Sequence, residues 1–274
     1  MQLIFIGTGS AFTTENFQSN TVVRRNGKNL LIDAGGDIRW SLKKYNMSHR
    51  DVDAVYVTHL HSDHTGGLEY LAFASYFDPS TEEKIQLIAN NELICDLWSS
   101  TLQGGLRSIQ GKRTTLVDFF DVSAVRKNGR FTWEDIEFRI VQSVHIMDGF
   151  AIVPSFGLMF TCPETGKVVF HTGDTQFNPN QIVDFYRMAD LIVHDCETCA
   201  GRTGVHARYD ELVTLPAEIK RKMVFTHYQD NVLKDIEAWE KKSMDDGFGT
   251  FGDIRGFLRP GTFFDTTVAW PREQ

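Results

Sequence analysis

A basic excess is missing from this sequence. Lysine and arginine number 28 against 36 aspartates and glutamates, a formal net charge of −8, which excludes a broad face for RNA or DNA. A small anionic substrate is not excluded, because bound cations dominate a local field. Long apolar runs are missing too. Nothing approaches the ~20 residues that cross a bilayer, and the first run, residues 3–6, stops at Gly7 without a signal-peptide layout. The expectation is a soluble, cytoplasmic protein with no membrane partner. Cysteine is scarce: Cys95, Cys162, Cys196 and Cys199 read as free thiols. The C-x-x-C of Cys196 and Cys199 is a pattern that binds zinc or acts as a redox pair, but no second pair completes a four-thiolate site, and it reads as buried small residues near a strand end. Repeats, low-complexity tracts and linkers are also lacking. What is present is apolar, 42% hydrophobic with 12% aromatic, enough to bury a substantial core in one domain over residues 1–274.

The first forty residues read as strands 2–6, 21–25 and 29–32, with Asn26-Gly27 as a hairpin turn. Gly7-Thr8-Gly9-Ser10 lacks the full phosphate-loop pattern and a following helix, so it is assigned to backbone turning. Ala34-Gly35-Gly36 allows close chain approach after Asp33. Further strands are expected at 53–58, 85–89, 116–122, 133–144, 155–161, 167–171, 191–194 and 222–226. Helices are expected at 68–76, 92–102, 179–188, 208–215 and 232–241. This order predicts an α/β fold of two sheets packed together with helices on both outer faces.

One stretch carries chemistry. Thr58-His59-Leu60-His61-Ser62-Asp63-His64 follows a strand and packs three imidazoles and a carboxylate into six positions. Neutral imidazoles and carboxylates are ligands for zinc and similar divalent ions. Two ions can share such a cluster, His59 and His61 on one, Asp63 and His64 on the other. Downstream, His145, Asp174 and His227 each follow a strand, where a rigid sheet can fix a ligand.

Together, the H-x-H-x-D-H run with His145, Asp174 and His227 resembles the dinuclear set of the metallo-β-lactamase fold, along essentially the whole chain. Within it, Gly7-Thr8-Gly9-Ser10-Ala11, Leu31-Ile32-Asp33, Thr172-Gly173-Asp174-Thr175 and His206 resemble the markers of ribonuclease Z. The resemblance implies an αββα sandwich of two mixed β-sheets flanked by helices. It also implies two divalent ions, zinc first and manganese as the alternative. His59, His61 and His145 would hold one ion, Asp63, His64 and His227 the other, with Asp174 bridging. Asp63 would also accept the proton of the attacking water, and His206 would protonate the departing ribose oxygen. The glutamate that assists in ribonuclease Z is replaced here by His171, and a His171–His206 pair is the expected substitute. Asp195 either orients one of these histidines or caps the next segment; His49 and His194 read as structural or exposed.

Ribonuclease Z also inserts an arm for tRNA between its third histidine and bridging aspartate. Only 28 residues separate His145 from Asp174 here, with Lys167 the one basic residue among them. They leave no room for an arm. The chain therefore looks like the arm-less, ribonuclease-Z-like cyclic-nucleotide phosphodiesterases, notably the phage anti-Pycsar enzymes. That implies a small cyclic-nucleotide substrate, no extended nucleic acid and a homodimer. The alternatives are tRNA 3′ processing, a lactonase or thioesterase on the same fold, and a non-catalytic nucleotide sponge. Two regions are candidates for the base: the basic loop 107–113, and the glycine-rich stretch 245–260, whose Phe248, Phe251 and Phe257 stack on a base, cross to a second subunit or pack as a C-terminal loop.

Overall fold

The structure, a computed structural model, describes residues 1–267 and 270. Two mixed sheets lie at its centre. The first has the strand order Thr262–Asp265, Gln2–Gly7, Asn20–Arg25, Lys28–Ile32, Ala54–Val57, Gln86–Asn90 and Asp121–Val125. Its first three pairings are antiparallel and its last three parallel. The second runs Met223–Thr226, Leu191–Asp195, Val168–His171, Ile152–Thr161, Ile136–Met147 and Arg130–Trp133. It is parallel over its first two pairings and antiparallel beyond.

Strand residues alternate between two cores, as the period of two requires. In the second sheet Phe138, Ile140, Leu158, Val169, Leu191, Val193 and Val224 join the core shared with the first sheet. Val141, Met159, Phe170, Ile192, Met223 and Phe225 face outward, under Ile182 and Tyr186 of the helix Pro179–Met188. This parity decides which polar groups reach the crevice. His171 and Asp195 fall on the inner side, whereas His194 falls on the outer side and bonds Tyr186 Oη at 2.6 Å.

Several expected elements differ. Residues 116–122 are not one strand: Thr115 and Asp118 form a capping box that winds Leu116–Phe119 into a helical turn before Asp121–Val125. Residues 133–144 are split by a turn at Glu134, whose φ is +52°, so Arg130–Trp133 pairs back on Ile136–Met147. Helix 92–102 becomes Asn91–Asp96 followed by a wider, π-type turn over Leu97–Leu102. The last long helix breaks at Asp235 into Asn231–Lys234 and Ile236–Asp245. Among the described residues no helix is long and apolar enough to cross a membrane, and all four cysteines are free.

The glycine-rich stretch does not present its phenylalanines to a ligand. Phe248, Phe251 and Phe257 are buried. Phe257 stands 5.0 Å from Phe225 and 5.6 Å from both Tyr228 and Trp239, while Gly247, Gly252 and Gly256 turn the chain at positive φ. Phe257→Ala is expected to cost about 3–5 kcal/mol, read as a lowered denaturation midpoint. An unchanged midpoint would return this ring to a ligand-binding role.

Candidate metal centre

The centre forms where parallel strands end. Asp33 follows Lys28–Ile32, His59 follows Ala54–Val57, Asp174 follows Val168–His171, Asp195 closes Leu191–Asp195 and His227 follows Met223–Thr226. Ligands of open α/β sheets sit beyond these carboxyl ends. His145 comes from the antiparallel side. The register of its strand slips between Val144 and Ile146, a bulge that re-aims His145 inward. Asp33 and His227 have φ of +65° and +57°, left-handed backbone that non-glycine residues hold at a cost and that clusters at functional sites. Gly35 meets the expected need for close approach, because a Cβ there would run into the Asp63 carbonyl oxygen.

The ring tautomers follow from the partners behind them. Asp33 accepts the Thr58 hydroxyl at 2.8 Å and His64 Nδ1–H at 2.7 Å. With its proton so committed, Thr58 Oγ1 accepts from His59 Nδ1 at 3.0 Å. His145 Nδ1 donates to the Val205 carbonyl at 2.8 Å. Each of these rings therefore keeps its proton on Nδ1 when neutral and directs Nε2 inward.

Two buried clusters result. His59, His61, His145 and Asp174 form one; Asp63, His64, His227 and Asp174 form the other. In the first, His61 Nδ1 lies 3.0 Å from His59 Nε2 and 3.1 Å from His145 Nε2. In the second, Asp63 Oδ2 lies 3.2 Å from His64 Nε2 and 3.1 Å from His227 Nε2. Asp174 Oδ2 faces both, at 3.3 and 3.4 Å from His64 and His227 and 3.7 and 3.8 Å from His59 and His145. Ligands about 2.1 Å from a tetrahedral ion stand about 3.4 Å apart, which fits these separations. His64 Nε2 and Asp174 Oδ2 are buried without a hydrogen-bond partner, the state of donor atoms directed at a cation. The donor set fits two divalent ions.

The field agrees. Burial lowers the basicity of His59, His61 and His145, the last to about 4, leaving a neutral triad. Around His64 burial acts the same way, yet Asp174, Asp33 and Asp63 outweigh it and push its pKa well up. The surrounding carboxylates favour a positive charge at that point.

His206 sits at the rim, its ring 5.1 Å from His145 and 4.7 Å from His227. Its neighbours are fixed: Val205 O holds His145, and Ala207 N donates to Thr175 O at 2.8 Å. Nδ1 donates to Asp195 Oδ2 at 2.8 Å, so Asp195 does orient a histidine. Burial works against charge on His206, but the Asp195 hydrogen bond and the Asp174 and Asp195 charges prevail, raising its pKa to about 9.

His171 does not pair with His206. Its Nδ1 accepts from the Gly173 amide at 3.3 Å and its Nε2 faces Thr21 Oγ1 at 3.5 Å, because strand parity turns it between the sheets. Burial lowers its pKa to about 4, so it is neutral and supports the turn leading to Asp174. A pKa depressed from 6.5 means that the unfolded chain binds a proton first. Stability is complete above about pH 6.5 and is lost as pH falls toward 4, by about 3 kcal/mol. His171→Asn keeps an acceptor for Gly173 without titrating. In metal-free protein it is expected to flatten the loss between pH 6.5 and 4 in denaturant titrations; an unaltered slope would contradict this placement.

Sequence reasoning missed the work of Asp33 and Thr58 behind the ligands; an aspartate ending a strand before Ala-Gly-Gly was the available signal. The basic loop 107–113 is an exposed two-residue ribbon whose Lys112 pairs with Asp118 at 2.6 Å.

With this geometry in hand, comparison with known proteins places the chain. The profile of the anti-Pycsar protein Apyc1 family matches residues 1–248. The chain belongs to that Apyc1 family. The Apyc1 protein of Paenibacillus xerothermodurans is 31% identical over 246 residues, 89% of this chain and 94% of the relative. That of Bacillus phage vB_BsuM-Goe3 is 32% identical over 247 residues, covering 86% and 92%. Among solved structures, the metallo-β-lactamase fold protein YhfI from Bacillus subtilis superposes with TM-score 0.72 at 17% identity, over 96% of this chain and 99% of that one. Human tRNase Z, short form, gives TM-score 0.63 at 20% identity, over 84% and 94%. These likenesses establish the metallo-β-lactamase fold for this Apyc1-family chain, with its two mixed sheets and outer helices.

Proposed function

We propose that the chain is a dinuclear metal-dependent phosphodiesterase that hydrolyses 3′,5′-cyclic nucleotides, cCMP, cUMP, cAMP and cGMP, to nucleoside monophosphates, and thereby counters Pycsar signalling. The observation that carries this reading is the pair of buried clusters sharing Asp174 in a member of the Apyc1 family. His59, His61 and His145 would hold one ion, Asp63, His64 and His227 the other, and Asp174 would serve both. Two zinc or manganese ions supply Lewis acidity for phosphodiester cleavage. Asp63, whose Oδ2 stands 3.1 Å from His227 Nε2, receives the proton of the attacking water. His206, its Nδ1 committed to Asp195, gives the Nε2 proton to the ribose oxygen as the P–O bond breaks. Its raised pKa keeps that proton in place near neutrality.

The route from His145 to Asp174 supports a small substrate over tRNA. It consists of the end of Ile136–Met147, a short hairpin tip, Ile152–Thr161, a turn at 163–166 and Val168–His171, with no inserted arm. The test is incubation of metal-replete protein with the four cyclic nucleotides and, separately, a pre-tRNA, followed by chromatography of the products. Monophosphates with intact tRNA are expected. A shortened tRNA beside untouched cyclic nucleotides would overturn the proposal.

A further inference from the structure

A cleft of about 600 Å³ opens between the loops that follow the first strand and the strands leading to Asp195 and His227, within the size range of small-molecule sites. Its walls are Ser10, Phe12 and Thr13 after the first strand, Thr198 to Ala200 after Leu191–Asp195, and Gln229 to Asn231 after Met223–Thr226. It is continuous with the catalytic loops: Gln229 lies two residues beyond His227, and Thr198 three beyond Asp195. Phe12 is 92% exposed. This exposure does not come from a loose loop. Ser10 N donates to Tyr228 O at 3.0 Å and Thr13 N to Ser10 O at 3.1 Å. Asp230 binds the Thr13 hydroxyl and, at 2.9 Å, the Thr14 amide. A tight, anchored turn holds an apolar ring in water next to an open cleft.

The opposite wall is equally fixed. Gln229 Oε1 accepts from the Thr198 hydroxyl and the Cys199 amide, both at 3.0 Å, and Asn231 Nδ2 donates to Thr198 O at 3.0 Å. Both Asp230 oxygens and the Asn231 amide are therefore spent inside the protein. The cleft offers a π face but few edge-reading groups.

We infer that Phe12 is the stacking platform for the nucleobase of the substrate, with residues 198–200 as the facing wall. The inference rests on the phosphodiesterase reading. Stacking uses the face that every base shares, so such a site accepts pyrimidines and purines alike.

The experiment compares kcat and KM of wild type, Phe12→Ala and Phe12→Trp on the four cyclic nucleotides and on base-less ribose 3′,5′-cyclic phosphate. Because Phe12 is exposed, both variants keep the wild-type melting midpoint. Phe12→Ala is expected to raise KM for all four nucleotides about tenfold with kcat little changed, to leave the base-less substrate unaffected, and to be rescued by Phe12→Trp. Unchanged KM values, or an equal loss on the base-less phosphate, would overturn the platform. The two failures are distinguishable: wild type inactive on every cyclic nucleotide removes the phosphodiesterase reading itself, whereas active wild type with an indifferent Phe12→Ala removes only the platform.

Discussion

Asp174→Ala is expected to lower kcat/KM on cyclic nucleotides by about 10⁴-fold or more, with both ions lost at ordinary metal concentrations. No other residue in the centre is shared. Its Oδ2 lies within 3.8 Å of Nε2 on His59, His64, His145 and His227, so one truncation removes a donor from each cluster. The effect works through the metal and not through folding. Asp174 is one of three carboxylates gathered around His64, and in the metal-free chain its charge is balanced by His64 and His227, so a melting midpoint read beside the metal content separates loss of the ions from loss of the fold. Elemental analysis of the purified variant, beside its kinetics, checks the prediction. Two ions per chain with activity within tenfold of wild type would contradict the bridging assignment.

His206→Ala should act differently: a fall in kcat of about 10²–10⁴-fold with metal content unchanged. The reason is the proton. Asp195, itself buried and pressed by the Thr175 amide at 3.2 Å, holds His206 Nδ1 and raises its pKa to about 9. An acid is active while protonated, so wild-type kcat is expected to decline with rising pH on a limb set by His206, and the variant to lose that limb. Asp195→Asn removes the charge that holds the proton and should move the limb to lower pH. A phosphodiester with p-nitrophenolate as leaving group needs no proton on departure, so His206→Ala should be nearly silent on it. Equal losses on both substrate types would show that His206 only shapes the pocket.

The stretch His59 to His64 was legible because it is local: a strand end followed by a tight turn gathers four ligating residues whatever the rest of the chain does. His145, Asp174 and His227 were legible as strand-terminal residues, and strand order then brought them together. His171 was misplaced beside His206 because linear spacing does not show strand parity, and parity turns it between the sheets toward Thr21. The rings of 245–260 were left among three readings for a related reason, and the packed C-terminal loop is the one the structure shows. A run of glycines does not show which way it turns the chain; here those at 247, 252 and 256 supply turns that fold Phe248 and Phe257 back onto Phe225 and Tyr209. The turn at Glu134 was hidden because glutamate carries no turn signal, and the capping box at Thr115 overrode a run of β-forming residues. Asp33 escaped a role because its effect is indirect, acting through Thr58 and His64 and only once the fold is formed.

The central claim is that two ions, sharing Asp174, are both needed for cyclic-nucleotide hydrolysis. The most direct measurement titrates metal-stripped protein with zinc or manganese while following cCMP turnover. Activity should rise to a plateau at two equivalents per chain. A plateau at one equivalent, or turnover by the fully stripped protein, would contradict the account.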